Sequence, residues 1–240
     1  MRPSNLYFIP NRDVRPATLM PYASLQPGHP DLQVTFAQNT FDAEGREARG
    51  PFFSRVMHWP GGTSGVTIGR GYDMGQRTRL QIISELRHAG LTLEDATFFG
   101  DAAGLRGTRA ENFVKKRMIE SPVISITAQR ALFEKITTPE IIADVKRIFS
   151  RHDVGATYGS ARWETLSDYA KEIVFDLRYR GDYTPTTRKV IQPLLVRGDD
   201  DGLRAVMRDS GYWANLNVPA ERVRARANVG VESPRYWKVG

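Results

Sequence analysis

Glu44, Thr67 and Asp73 have the types and the order for acid-assisted cleavage of a glycosidic bond. That chemistry needs one carboxyl that keeps its proton until the leaving oxygen takes it. It also needs a second, ionised carboxyl that activates water or stabilises positive charge at the anomeric carbon. A threonine hydroxyl between them can hold a water by donating one hydrogen bond and accepting another. Asp42 and Glu47 lie close enough in sequence to compete with Glu44 for the acid role, and Asp73 has the alternative of capping a turn. Other chemistries lack their residues. With no cysteine there is no disulfide, thiolate metal site or thiol nucleophile. His29, His58, His88 and His152 have no metal-ligand spacing and read as surface or half-buried structural residues, so neither metal nor organic cofactor is expected. Gly69-x-Gly71 fails the dinucleotide fingerprint because Met74 stands where its third glycine belongs. Gly62-Thr63-Ser64-Gly65 is one residue short of a nucleophile elbow, and no Walker lysine motif occurs.

Positioning these groups takes a loop-rich floor and a helical wall. The run from His58 to Gly75, HWPGGTSGVTIGRGYDMG, surrounds the β-favouring Val66-Thr67-Ile68 with glycine. It predicts a hairpin of two strands, Phe53 to His58 and Gly65 to Tyr72, separated by Pro60-Gly61-Gly62. Gly69 and Gly71 leave room for backbone or a bulky ligand to come close. Before the hairpin, Val34, Ala37 and Phe41 fit one face of a helix from Asp31 to Glu44, with Gly45 as its stop. Glu44 and Asp73 can then face each other across a cleft.

Beyond Gly75 the periodicity is helical. Leu80, Ile82, Ile83 and Leu86 follow a Thr78 cap and stop at Gly90. Thr92 to Phe99 and Thr108 to Ile119 read as short helices, the second capped by Thr108 with Glu111 in the capping-box position. Thr127 to Phe149 carries Leu132, Ile136, Ile141, Ile142, Val145 and Ile148, with Pro139 as a break or fresh start. Ser167 to Tyr179 is among the most apolar helices and is expected to be central. Thr187 to Val196, Leu203 to Met207 and Pro219 to Asn228 complete the array. The predicted fold class is α+β: one mainly helical domain over residues 31–240 with a small N-terminal hairpin, preceded by a Pro-rich extended arm over residues 1–30.

The run Gly65-Val66-Thr67-Ile68-Gly69-Arg70-Gly71-Tyr72-Asp73 resembles the T-I-G-x-G core of phage-type lysozymes, and more closely the muramidase domain of pesticin-like bacteriocins and related secreted antibacterial effectors. In that family a Glu precedes the Thr by 23 positions and an Asp follows it by six, and those positions here hold Glu44 and Asp73. The tailed-phage enzymes carry their second carboxylate six residues before the Thr, where this chain has Gly61, and a His where it has Tyr72. The pesticin-like arrangement places that carboxylate at Asp73. Residues 44–75 carry the resemblance. Further on, Phe175 to Gly181 is similar to the segment where a long buried lysozyme helix ends beside the cleft, and Arg222, Arg224 and Arg226 resemble the basic C-terminal helix. The resemblance implies a lysozyme-like fold that hydrolyses the β-1,4 bond between N-acetylmuramic acid and N-acetylglucosamine in peptidoglycan with inversion. Glu44 would be the acid, Asp73 would act with Thr67 on the attacking water, and no cofactor would be needed. Arg70, Tyr72, Arg178 and Tyr179 are candidate saccharide or peptide contacts. A bacterial toxin of this kind implies an immunity protein that plugs the cleft and a delivery or secretion-system component; a phage endolysin implies no such inhibitor.

A net charge of +7 and a pI near 9.8 suit an anionic partner, whether nucleic acid, membrane surface or wall polymer. No nucleic-acid motif accompanies the basic residues, so the wall polymer is the expected one. Arg222, Arg224 and Arg226 read as a solvated helix face, as do Lys115, Lys116 and Arg117; both can draw the protein to such a polymer at low salt. Most of Trp59, Trp163, Trp213 and Trp237 read as core anchors. No 18-residue apolar run occurs, and the N-terminus has prolines and charges where a signal peptide needs an apolar stretch. The expectation is synthesis in the cytoplasm, no membrane insertion, and action in the periplasm or at the wall of a bacterium. A lytic transglycosylase or chitinase-like glycosidase, or a wall-binding module with a dead site, are the rival readings.

Overall fold

Around the glycine-rich turn every second side chain, Val66 and Ile68, then Tyr72 and Met74, enters one apolar core, while Thr67 is buried on the opposite face. A period of two in the side chains that enter the core suits a strand pair. In the computed structural model, which describes residues 29–47 and 53–230, β1 (Thr67–Ile68) and β2 (Tyr72–Asp73) form an antiparallel pair with Thr67 opposite Asp73 and Ile68 opposite Tyr72. Gly69 and Gly71 turn the chain between them with φ of 62° and 88°, which side chains with a Cβ rarely adopt. The predicted hairpin partner, Phe53 to His58, is not a strand. Phe53 makes one bridge to Arg46 and His58 one bridge to Thr67. Between them Ser54 and Arg55 both turn to the buried Glu47, and two consecutive side chains on one target break the alternation a strand requires.

The predicted helix from Asp31 to Glu44 is also shorter. A single 3₁₀ turn covers Pro30–Leu32, and α1 spans only Gln38–Ala43. Ala37 begins it in the left-handed conformation, while the Gln38 side chain accepts from Val34 N–H and donates to the Leu32 carbonyl, satisfying the extended link. The predicted arm over residues 1–30 lies almost wholly outside the described residues, as does Trp237.

After the hairpin come α2 (Arg79–His88), α3 (Leu93–Gly100), α4 (Thr108–Arg117) and α5 (Ile126–Leu132). Thr78 caps α2 in a reciprocal box with Gln81. Ile82 and Leu86 are buried, but Leu80, expected on the same face, is 79% exposed. Gly107, not Thr108, caps α4, with no side-chain bond. Pro139 is the fresh start expected of it and not a break: it stands in the first turn of the next helix, which follows without a gap. Having no N–H, it cannot donate to the Lys135 carbonyl, and its ring crowds that carbonyl. The chain widens instead into a π turn over Phe133–Thr137, where Thr138 N–H reaches five residues back to the Phe133 carbonyl, and continues as α6 (Thr138–Phe149). Then follow α7 (His152–Tyr158), α8 (Asp168–Arg180), α9 (Pro185–Arg197), α10 (Asp200–Arg208), α11 (Ser210–Asn215) and α12 (Ala220–Ala227). The periodicity reading missed α7 and α11, which are only 7 and 6 residues long.

The protein is thus mainly helical with a small antiparallel sheet. Among the described residues two apolar clusters form. One holds Met57, the hairpin, α2 to α4 and Leu132; the other holds Leu32, Phe41, Phe133 and the helices from α6 onward. The fully buried residues change core between Leu132 and Phe133, while the partly buried Ile126 and Ile136 reach across to the opposite core. α8 is central as predicted, with Ile173, Val174, Phe175 and Leu177 fully buried.

Candidate active site

Glu44 is the C-cap residue of α1, where helical geometry ends. Its side chain is 28% exposed and accepts a hydrogen bond from Arg222 Nη1 at 2.6 Å. Burial pushes its carboxyl above the ordinary glutamate range, and the Arg222 guanidinium only partly opposes that. Arg222 is anchored in turn: its Nε and Nη2 donate to both oxygens of Asp176 on α8, at 3.2 and 2.5 Å. Asp176 also accepts from the Thr40 hydroxyl at 2.8 Å and from Arg226 Nε at 2.6 Å, and Arg226 continues to Asp182. Of the three arginines of α12, only Arg224 lies on the solvated face predicted for them. Arg222 and Arg226 are buried, because α12 packs on α1 and α10 and carries them onto the acids below. The i,i+4 spacing of Arg222 and Arg226, together with Asp176 on the buried side of the central helix, is the sequence signal for this pairing: a carboxylate there has to find a cation.

The two competitors of Glu44 are placed differently. Glu47 is buried against Arg55 Nε at 2.8 Å, Arg70 Nη2 at 3.2 Å and Gln129 Nε2 at 2.6 Å. Burial alone would raise its carboxyl; the Gln129 bond and the two guanidiniums outweigh it and hold the group ionised, below the usual range. Asp42 is half-buried and raised by burial, with Arg70 4.0 Å away.

Thr67 and Asp73 face each other across the hairpin. Asp73 accepts Gly65 N–H at 3.0 Å and Gly75 N–H at 2.6 Å, one on each oxygen, and Thr67 donates weakly to the Gly65 carbonyl at 3.4 Å. A side chain at Gly65 would put its Cβ 2.2 Å from Asp73 Oδ1, so glycine there is what admits the carboxylate. Beside Asp73 opens a polar groove of about 350 Å³ lined by Asp73, Gln76, Arg77, Gln81, Glu85 and Glu140. Arg77 braces it, donating to the Asp73 carbonyl, Glu85 and Glu140.

The expected substrate contacts are each hydrogen-bonded within the protein. Arg70 is buried, stacked on the Phe41 ring at 4.0 Å and hydrogen-bonded to the Phe41 carbonyl and Glu47. It passes so close beneath Gly45 that a Cβ there would lie 2.7 Å from Nε. Tyr179 donates to the Arg70 carbonyl at 2.9 Å. Burial, and then the Glu44 charge, raise its phenol well above the ordinary range. Tyr72 is buried and donates to Glu85 at 2.6 Å. Arg178, one-third exposed, is paired with Asp144. Arg70 thus ties the hairpin that carries Thr67 and Asp73 to the helix end that carries Glu44. No trio of His, Asp and Glu among the described residues converges as a metal site.

Residues 37–227 match a family described as a domain of unknown function, DUF8812. The chain belongs to the DUF8812 family. No curated protein matches it. The DUF8812 match runs from α1 through α12, so it takes in Glu44, Thr67 and Asp73 as well as both ends of the Glu44–Arg222–Asp176 chain.

Proposed function

We propose that this DUF8812 protein is a muramidase with a lysozyme-like fold, cleaving the β-1,4 bond between N-acetylmuramic acid and N-acetylglucosamine in peptidoglycan. The observation that carries the reading is the environment of Glu44. A half-buried glutamate raised by burial, and steered by one arginine instead of being enclosed by several donors, is suited to hold a proton for a leaving oxygen. Thr67 orients the attacking water and Asp73 supplies the second carboxylate, in the three-point spacing of the pesticin-like family. An attack by water on the face opposite Glu44 inverts the anomeric carbon. The basic surface favours an anionic wall, and no helix among the described residues is long and apolar enough to cross a membrane. In this reading the protein acts in the periplasm or at the wall of a bacterium, as a bacteriolytic effector, bacteriocin or endolysin. If it is a toxin, its cleft is the surface for an immunity protein, and a delivery component carries it to the wall.

The test is digestion of purified peptidoglycan by the wild type, Glu44→Gln and Asp73→Asn, with muropeptide masses read out. The expected result is reducing-end products from the wild type and none from Glu44→Gln. Anhydro ends would move the mechanism to a lytic transglycosylase, and binding to sacculi without any product would leave only a wall-binding module.

A further inference from the structure

The hairpin has a third rung. His58 N–H donates to the Thr67 carbonyl at 2.9 Å, and Thr67 N–H to the His58 carbonyl at 2.8 Å. Thr67 is in turn opposite Asp73. Directly opposed residues of antiparallel strands put their side chains on the same face. His58, Thr67 and Asp73 therefore form one row. Their chain neighbours Met57, Val66, Ile68, Tyr72 and Met74 take the other face and fill the core. The row looks away from that core, and its Asp73 end borders the polar groove.

The imidazole is set in one tautomer. Nδ1 lies 3.3 Å from the Val56 carbonyl, and a carbonyl only accepts, so Nδ1 carries the hydrogen and Nε2 keeps a lone pair. Burial, against the smaller effect of the Val56 bond, lowers the basicity of the ring and so favours its neutral form. Among the described residues, none hydrogen-bonds Nε2. Asp73, by contrast, has each of its oxygens already engaged by a backbone N–H.

We propose that His58 is the base of the hydrolysis, its Nε2 taking a proton from the water that Thr67 orients, while Asp73 stabilises the positive charge that develops. The inference rests on the muramidase reading. In the step, the water oxygen bonds to the anomeric carbon and the bond to the leaving sugar oxygen breaks, its electron pair staying on that oxygen. Glu44 delivers its proton there, and the proton released by water goes to Nε2. Exchange with solvent then returns both groups to their starting states.

The test measures sugar-end release from purified peptidoglycan by the wild type, His58→Ala, His58→Asn and Glu44→Gln, each with and without azide. His58→Asn retains an N–H for the Val56 carbonyl and removes Nε2, so it separates a base from a structural histidine. Both His58 variants are expected to lose about 100-fold or more in turnover with KM little changed. Azide, an anion that needs no base, should restore turnover and appear as a glycosyl azide in the product masses; Glu44→Gln should not respond. His58→Asn with near-wild-type turnover, or a folded His58→Asn that is inactive and not rescued, overturns the assignment of the base while an inactive Glu44→Gln keeps the muramidase reading. A wild type that releases no sugar ends overturns both.

Discussion

Arg222 Nη1 lies 2.6 Å from Glu44 Oε1 although 178 residues of chain separate the two. The contact is made by closing the last described helix onto the first, and it aims one carboxyl oxygen from below. It also opposes the upward push that burial exerts on that carboxyl.

Removing the arginine therefore has two expected effects. Arg222→Gln leaves Asp176 with Arg226 as its remaining cation, and urea unfolding should show a loss of about 3 kcal/mol, the scale for breaking a buried pair. Glu44 then lacks its main counter-charge, so its pKa rises further. The alkaline limb of a pH–turnover profile, where the acid loses its proton, should move upward.

Glu44→Gln should abolish turnover and at the same time stabilise the fold in a pH-dependent way. A carboxyl raised in the folded state contributes stability that is present below its unfolded value and is lost as pH rises through the folded one. The wild type accordingly carries the cost of a buried charge at pH 7 and not at pH 4. Melting temperatures of variant and wild type should differ at pH 7, the variant higher, and converge at pH 4.

Glu47 has the opposite sign. Its carboxyl is lowered in the folded protein, so its contribution is present above the ordinary value of 4.5 and is lost as pH falls through the folded one. Glu47→Gln should cost about 3 kcal/mol at pH 7. The difference should shrink under acid, as measured by unfolding at several pH values.

Gly71 is held by Tyr179. An added Cβ would sit 1.6 Å from the phenol oxygen, on a backbone with φ of 88°. Gly71→Ala should destabilise by about 3 kcal/mol, part from the clash and part from the backbone. Tyr179→Phe removes the oxygen but keeps Cζ, 2.6 Å from that Cβ, so in a double-mutant cycle it should relieve part of the clash and leave the rest together with the backbone cost. Strict additivity would mean that the two residues do not meet.

Much of the architecture is legible in the chain. The central helix with Ile173, Val174 and Leu177, the Thr78 cap and the glycine turn all follow from local chemistry, because period, capping and φ are properties of a few neighbouring residues. What depends on distant partners was not legible. Arg70, a candidate saccharide contact in the sequence, is a buried strut, since nothing local announces Glu47 or Phe41 as its partners. Arg222 and Arg226 looked solvated for the same reason. The row of His58 with Thr67 and Asp73 is hidden for the same reason, since it depends on a bridge that skips the whole Pro60–Gly65 loop.

The π turn at Phe133–Thr137 acts as a phase shifter for whatever is read along that helix. An α-helix advances about 100° per residue, so a turn that takes in one more residue rotates everything after it by about that angle. Leu132, before the turn, faces one core, and Val145 and Ile148, after it, face the other. Glu140 keeps its hold on Arg77 by the same rotation. Deleting a single residue there would straighten the helix and swing Glu140 away from the groove. Aligning family members as though residues 126–149 were one uninterrupted α-helix would assign the wrong face to every position on one side of the turn.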